Sequence, residues 1–272
     1  MKLSADLDGF RLYLQEQKLS DSSITSYVGS LRLFGTMYAS LTASTAKKYR
    51  AYLIANYKPS TVNQRICGFN HYVDYAGKPR YKLPSVRLQR ASYLDAVISN
   101  KDYLALKRRL KKKGPELWFF VVWFLGATGA RVSELLKIKV EHLSVGYMDL
   151  YSKGGKMRRV YIPDTLCREA SAWCLRRGIS SGYLFTNRQG NPLTARGVNS
   201  QLKHYARLYK IDPNTVYPHS FRHRFAINFL QRFNDIALLA DLLGHDNVET
   251  TRIYLTRSTS EQQKMIDKMV TW

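Results

Sequence analysis

The run Leu117–Ala127, LWFFVVWFLGA, is the strongest constraint on how this chain can fold. It carries no charge, so it belongs in an interior. It is also well short of the ~20 apolar residues that a membrane-spanning helix needs. Pro115 precedes it, and Gly126 and Gly129 break it. This punctuation predicts a helix over residues 115–126, buried at the centre of a domain. The rest of the chain must supply the layers that cover it.

Those layers read as mostly helical. Leu7, Phe10, Leu12 and Leu14, then Ile24, Tyr27, Leu31 and Phe34, recur at three- to four-residue spacings and predict helices within 5–38. Ser20–Ser23 supplies turn and cap residues between them. Further helices are expected around Ala46–Ala55 and from Pro59 through Ile66, Phe69 and Tyr72, which makes residues 1–82 a small four-helix unit. Gly77, Pro79 and Pro84 follow without periodicity, and a linker is expected at 83–97. The second domain, 98–257, opens with Ser99 and Asp102 capping a helix into LALKRRLKKK. Val132–Ile138 is expected to form the next helix. Residues 145–151 and 157–163 alternate like the strands of a hairpin about SKGGK. Ser258 and Glu261 form a capping box ahead of Met265, Ile266 and Met269, predicting a C-terminal helix over 258–272. The expected fold class is mainly α with a small β-hairpin.

Charge narrows the function. The 272 residues carry a net charge of +23. Residues 1–90 hold 14 Lys and Arg against 5 Asp and Glu, and the remainder 29 against 15, so both halves are basic. Charge spread over a folded chain favours a polyanion, with DNA or RNA as the first reading. A membrane surface would call for a basic amphipathic segment or a lipid anchor, and neither stands out. Cys67, Cys167 and Cys174 have neither disulfide-framework nor zinc spacing. The opening MKLSADLDGF has no apolar signal region. A cytoplasmic protein with reduced thiols is expected.

Six residues then form a chemical inventory. Arg131 sits in GATGARVSELL, after a Gly-rich break and at a helix start, where the helix N-terminus adds its own preference for anions. Glu134, one turn later, either orients Arg131 or pairs with Lys137. Lys153 sits at the hairpin tip in YSKGGKMRRVYIP, with Lys156 as its rival. His219 and Arg222 form an H-x-x-R on one helix face. His219 and His223 also have i, i+4 metal-ligand spacing, but no nearby acid completes such a site. His245 follows Gly244, a natural C-cap for the helix 235–243. Tyr254 comes nine residues later, on a short helix that Asp246 and Asn247 can cap. Arginines hold phosphate oxygens bidentately, lysine and histidine move protons, and tyrosine forms covalent intermediates. The set suits attack on a phosphodiester.

In this order and these local sequences, the motifs resemble the tyrosine recombinase (phage integrase) family, in its compact Xer form. The likeness is strong over roughly 120–257 and only topological over 1–90. Ser152 stands where the family's lysine turn has glycine. The resemblance implies a helical core-binding domain that clamps DNA, joined to an α+β catalytic domain. It implies that Arg131 and Arg222 bind the scissile phosphate and that Tyr254 attacks it to leave a 3′-phosphotyrosyl link. Lys153 would protonate the leaving 5′-oxygen, His219 would accept the tyrosine proton, His245 would position the phosphate, and Glu134 would support Arg131. It further implies double-stranded DNA with paired inverted half-sites, and a homo-tetramer on synapsed DNA, alone or with a partner recombinase. Helix 258–272 would dock on a neighbouring subunit or within its own. No cofactor, metal or membrane is expected. A type IB topoisomerase and a catalytically silent DNA-binding protein are the alternative readings of the same inventory.

Overall fold

The computed structural model describes residues 7–88, 96–151, 157–245, 247–255 and 267. The chain divides into two compact units, Met1–Arg90 and Ala91–Trp272. Helices dominate both, and a two-stranded antiparallel sheet completes the second.

The first unit packs α1 (Leu7–Glu16), α2 (Asp21–Met37), α3 (Ala43–Asn56) and α4 (Pro59–Tyr75). Ser20 caps α2 by accepting from the Ser23 amide, Thr42 and Thr45 form a capping box on α3, and Pro59 takes the first turn of α4. Phe10, Leu14, Val28, Leu31, Phe34, Tyr49, Leu53, Ile66 and Phe69 fill the interior. The helices α2 and α4 approach closely because Gly68 faces the Tyr27 backbone, where a Cβ would stand 2.8 Å from Tyr27 Cα. The segment after α4, expected to be linker from residue 83, still belongs to this unit up to Val86. Asn70 pairs with both backbone groups of Leu83, Asn63 with both of Val86, and Leu83 is buried.

The second unit is built around α6 (Glu116–Thr128), preceded by α5 (Asn100–Lys113). Phe119, Phe120, Val121, Val122, Phe124 and Leu125 are all buried, as the apolar run requires. Phe120 stacks on Trp173 of α9 (Asp164–Arg176), with ring centroids 4.7 Å apart. Beyond α6, the expected helix 132–138 is only the single turn α7 (Val132–Leu135). Backbone pairing takes over: the Leu184 amide donates to Ile138 O and the Val140 amide to Gly182 O. A strand-like bridge thus outcompetes a helix that local periodicity alone favours.

After α8 (His142–Val145), strands β1 (Tyr147–Tyr151) and β2 (Met157–Tyr161) pair antiparallel, with Tyr147 opposite Tyr161 and Tyr151 opposite Met157. Gly146, left-handed at φ 79°, ends α8 and delays the start of β1. The helices α10 (Ala195–Leu208), α11 (Pro218–Phe233) and α12 (Ile236–Leu243) complete the unit. A small cluster of Ala226, Leu230, Leu239 and Leu243 joins the last two, and Tyr254 packs against it. The C-terminal helix expected at 258–272 lies outside the described residues, apart from Asp267.

Candidate active site

Three arginines meet at the C-terminal end of α12. Arg131 Nη2 donates to Gly244 O at 3.2 Å, Arg158 Nη2 to Leu242 O at 2.8 Å, and Arg222 Nη2 to Leu243 O at 2.5 Å. The local sequence explains why these acceptors are free. The last carbonyls of a helix have no intrahelical donor, and they carry its partial negative charge. Gly244 ends the helix in the left-handed conformation at φ 61°, and the chain turns back through His245. The LLGH segment is therefore a cradle of carbonyls that gathers guanidinium groups.

Glu134 is the carboxylate among them. Its Oε1 accepts from Arg131 Nη1 at 2.8 Å and from Arg158 Nη1 at 2.5 Å, and its Oε2 accepts from the Arg131 amide at 2.7 Å. Burial would raise its carboxyl, but the Arg131 amide and the two guanidiniums outweigh that and hold it below the ordinary range. Glu134 therefore orients Arg131. The expected anion preference of a helix N-terminus at Arg131 is corrected here: the helix is a single turn, and Glu134 occupies the Arg131 amide. Side chains, not backbone dipoles, make this end of the site positive.

Arg222 is only 3% exposed and anchors the other side, with Nη1 donating to Gly129 O at 3.0 Å. Burial, with Arg131 and Arg158 nearby, pulls it down to about 10, so it remains cationic at neutral pH. Gly129 takes the left-handed conformation at φ 62°, and Phe225 fills the space where its Cβ would be. The Gly-rich break seen in the sequence thus turns the chain and leaves its carbonyl facing Arg222.

The histidines line the same region. His245 Nδ1 is 2.8 Å from Thr251 Oγ1. Burial, then Arg222, Arg131 and Arg158, push its ring down to about 4. His219 is lowered by burial and by Arg222 and Arg131. His223 falls to about 4 through burial, His219 and Arg222. All three are neutral at pH 7 and can accept a proton or donate a hydrogen bond. Tyr254 stands half-buried on the turn Arg252–Leu255. Its hydroxyl is 2.9 Å from His223 Nδ1. Burial raises the phenol, opposed by Arg222 and Arg131.

Arg131, Glu134, Arg158, Gly244 and His245 line an open cleft of about 1060 Å³. The structure thus gathers Arg131, Glu134, Arg222 and His245 around the α12 terminus and brings Tyr254 to α11 beside them. Lys153 and its rival Lys156 lie outside the described residues, although β1 and β2 lead directly to them. Sequence reading missed Arg158. Its signal was faint: it shares a strand face with the buried Val160, where an apolar residue is the ordinary choice. In the sequence His223 stands out only by its metal-ligand spacing from His219, and among the described residues no cluster of metal-ligating side chains occurs.

The phage integrase family matches residues 98–261, so the chain belongs to that family. The tyrosine recombinase XerA of Pyrococcus furiosus is 31% identical to it, over 95% of this chain and 91% of the relative. The tyrosine recombinase XerD of Staphylococcus haemolyticus is 26% identical over 97% and 89%. The fold is shared with the Tn1549 transposon integrase in complex with circular intermediate DNA, at TM-score 0.74 and 14% identity over 99% and 100% of the two chains. It is also shared with the XerH recombinase bound to its difH substrate, at TM-score 0.69 and 18% identity over 89% and 78%. The chain is a tyrosine recombinase of the compact Xer type.

Proposed function

We propose that this recombinase cuts and rejoins duplex DNA at specific sites through a 3′-phosphotyrosyl intermediate on Tyr254. The observation that carries the reading is the gathering of Arg131, Arg158 and Arg222 against one carboxylate, Glu134, beside a half-buried phenol. That site has unbalanced positive charge of the kind a phosphodiester neutralises.

Arg131 and Arg222 hold the non-bridging oxygens and stabilise the charge of the five-coordinate transition state, the role metals play in other phosphoryl-transfer enzymes. His245 adds a neutral hydrogen bond to the same phosphate. Tyr254 attacks phosphorus, and Lys153, in the sequence between β1 and β2, protonates the departing 5′-oxygen. The 5′-hydroxyl of a partner strand later reverses the step, so bond energy is kept in the phosphotyrosine and no nucleotide is consumed. Both basic units grip the duplex as a clamp. Four protomers act on two synapsed sites, each a pair of inverted half-sites, with residues 258–272 reaching between neighbours. Relatives recorded on DNA, such as XerH with difH, support the choice of substrate. The cytoplasm is where we place the reaction.

The test begins with the duplex that the protein selects from a random-sequence pool, nicked beside the cleavage position so that the short fragment carrying the freed 5′-hydroxyl escapes. Wild-type protein becomes covalently trapped on it, in excess EDTA as well as without. Tyr254→Phe binds the same duplex within a few-fold and traps none. Trapping by Tyr254→Phe, or trapping that needs an added metal ion, overturns the reading.

A further inference from the structure

We propose that His223, rather than His219, is the base that takes the proton from Tyr254 during strand cleavage. This inference rests on Tyr254 being the nucleophile.

The geometry is direct. His223 Nδ1 and Tyr254 Oη are 2.9 Å apart, inside the reach a general base needs to its proton. The ring planes are tilted by 50° with centroids 5.6 Å apart, so the contact is an edge-on hydrogen bond and not stacking. Both groups are half-buried, which favours direct transfer over exchange with solvent. His219 lies one helical turn earlier, its ring centroid 6.4 Å from that of His223, and both Arg222 and Arg131 act on it. Among the described residues, the imidazole that reaches the phenol is His223.

The electrostatics point the same way. Burial disfavours protonation of His223 most, and His219 and Arg222 add to it. The ring is therefore neutral, and with its proton on Nε2 it presents a lone pair on Nδ1 to the phenol. A phosphodiester bound between Arg131 and Arg222 brings negative charge into the site and offsets the share that comes from positive neighbours. Basicity at His223 thus rises when substrate is present.

The step balances as follows. The phenol O–H bond breaks and its proton passes to His223 Nδ1. The phenol oxygen's electron pair forms the bond to phosphorus. The bond from phosphorus to the 5′-oxygen breaks, and that oxygen takes a proton from Lys153. In rejoining, a 5′-hydroxyl gives its proton back to the lysine, the O–P bond to tyrosine breaks, and His223 returns its proton to the phenolate.

The experiment compares two phenols in each of three proteins. Native tyrosine or 3,5-difluorotyrosine, whose hydroxyl is more acidic, stands at position 254 in wild type, His223→Gln and His219→Gln. Single-turnover trapping on the nicked selected duplex is measured for each. With native tyrosine, His223→Gln slows trapping by roughly 10²–10⁴-fold, the range of general-base catalysis. With difluorotyrosine that penalty shrinks at least about tenfold, because a more acidic phenol needs less help from a base. His219→Gln shows the same penalty with both phenols. The ratio of phenols within one protein cancels any loss of folded material, so a poorly folding variant still gives an answer. Equal penalties for both phenols in His223→Gln overturn the proposal, as does trapping within two-fold of wild type. Faster trapping also overturns it, since His223 would then restrain the nucleophile. Trapping by Tyr254→Phe in the same assay would sink the nucleophile assignment instead, so the two failures are distinct.

Discussion

Arg158 packs against Gly244 so closely that a Cβ on that glycine would overlap Arg158 Cδ. The contact joins β2 to the loop that carries His245. Arg158 also reaches Leu242 O and Glu134, so one side chain spans the hairpin, the end of α12 and the partner of Arg131.

Gly244→Ala is accordingly expected to damage the site more than the fold. The new methyl meets Arg158 and must also adopt φ 61°, a conformation that costs a non-glycine residue about 1 kcal/mol or more. Displacing Arg158 frees Glu134 on one side and loosens Arg131. We expect trapping on nicked duplex to fall at least about tenfold, while the far-ultraviolet spectrum stays helical and the thermal midpoint drops by a few degrees. Wild-type trapping by Gly244→Ala would show that Arg158 can move without consequence.

Acid should weaken the fold before carboxylates protonate. His223 and His245 sit near 4 when folded, against 6.5 for a free ring. Between those values the unfolded chain takes up protons that the native site refuses. Stability is therefore full above about pH 6.5 and falls as pH drops toward 4. Replacing either ring by glutamine removes its share, so the midpoint of His245→Gln falls less between pH 7 and pH 5 than that of wild type. An unchanged pH slope in both His223→Gln and His245→Gln would rule out this origin.

DNA binding should depend steeply on salt, because both units are basic. Contact with about six to ten phosphates lowers affinity by roughly 10³–10⁵-fold between 50 and 200 mM salt. Titration of the selected duplex at several salt concentrations gives the slope directly. A nearly flat plot of log affinity against log salt would contradict a clamp that uses both units.

Local signals made much of this protein legible. The buried α6, the caps at Ser20 and Ser99, the hairpin strands and the stop at Gly244 all depend on neighbours within a turn or a strand, so periodicity and punctuation reveal them. Candidate residues such as Arg131, Arg222, His245 and Tyr254 stand in short motifs, and it is the likeness of those motifs to the tyrosine recombinase family that singles them out.

What the tertiary structure decided is which of these groups touch. Arg158 meets Glu134 across 24 residues, and His223 meets Tyr254 across 31. His219 and His223 lie on the same helical face, and nothing local distinguishes them. The choice depends on where along α11 the Arg252–Leu255 turn lands, and that is set by packing of Tyr254 on Ala226, Leu230, Leu239 and Leu243. The shortening of α7 has the same origin, since Ile138 O, just beyond it, accepts from the Leu184 amide. Sequence by itself determined most of the elements, because those follow from local conformational preference, and the chemical inventory, because residue identity carries it. The Arg158–Glu134 and His223–Tyr254 contacts came from long-range packing, because a hydrogen bond needs its two atoms within about 3 Å and separations of 24 and 31 residues do not encode that distance.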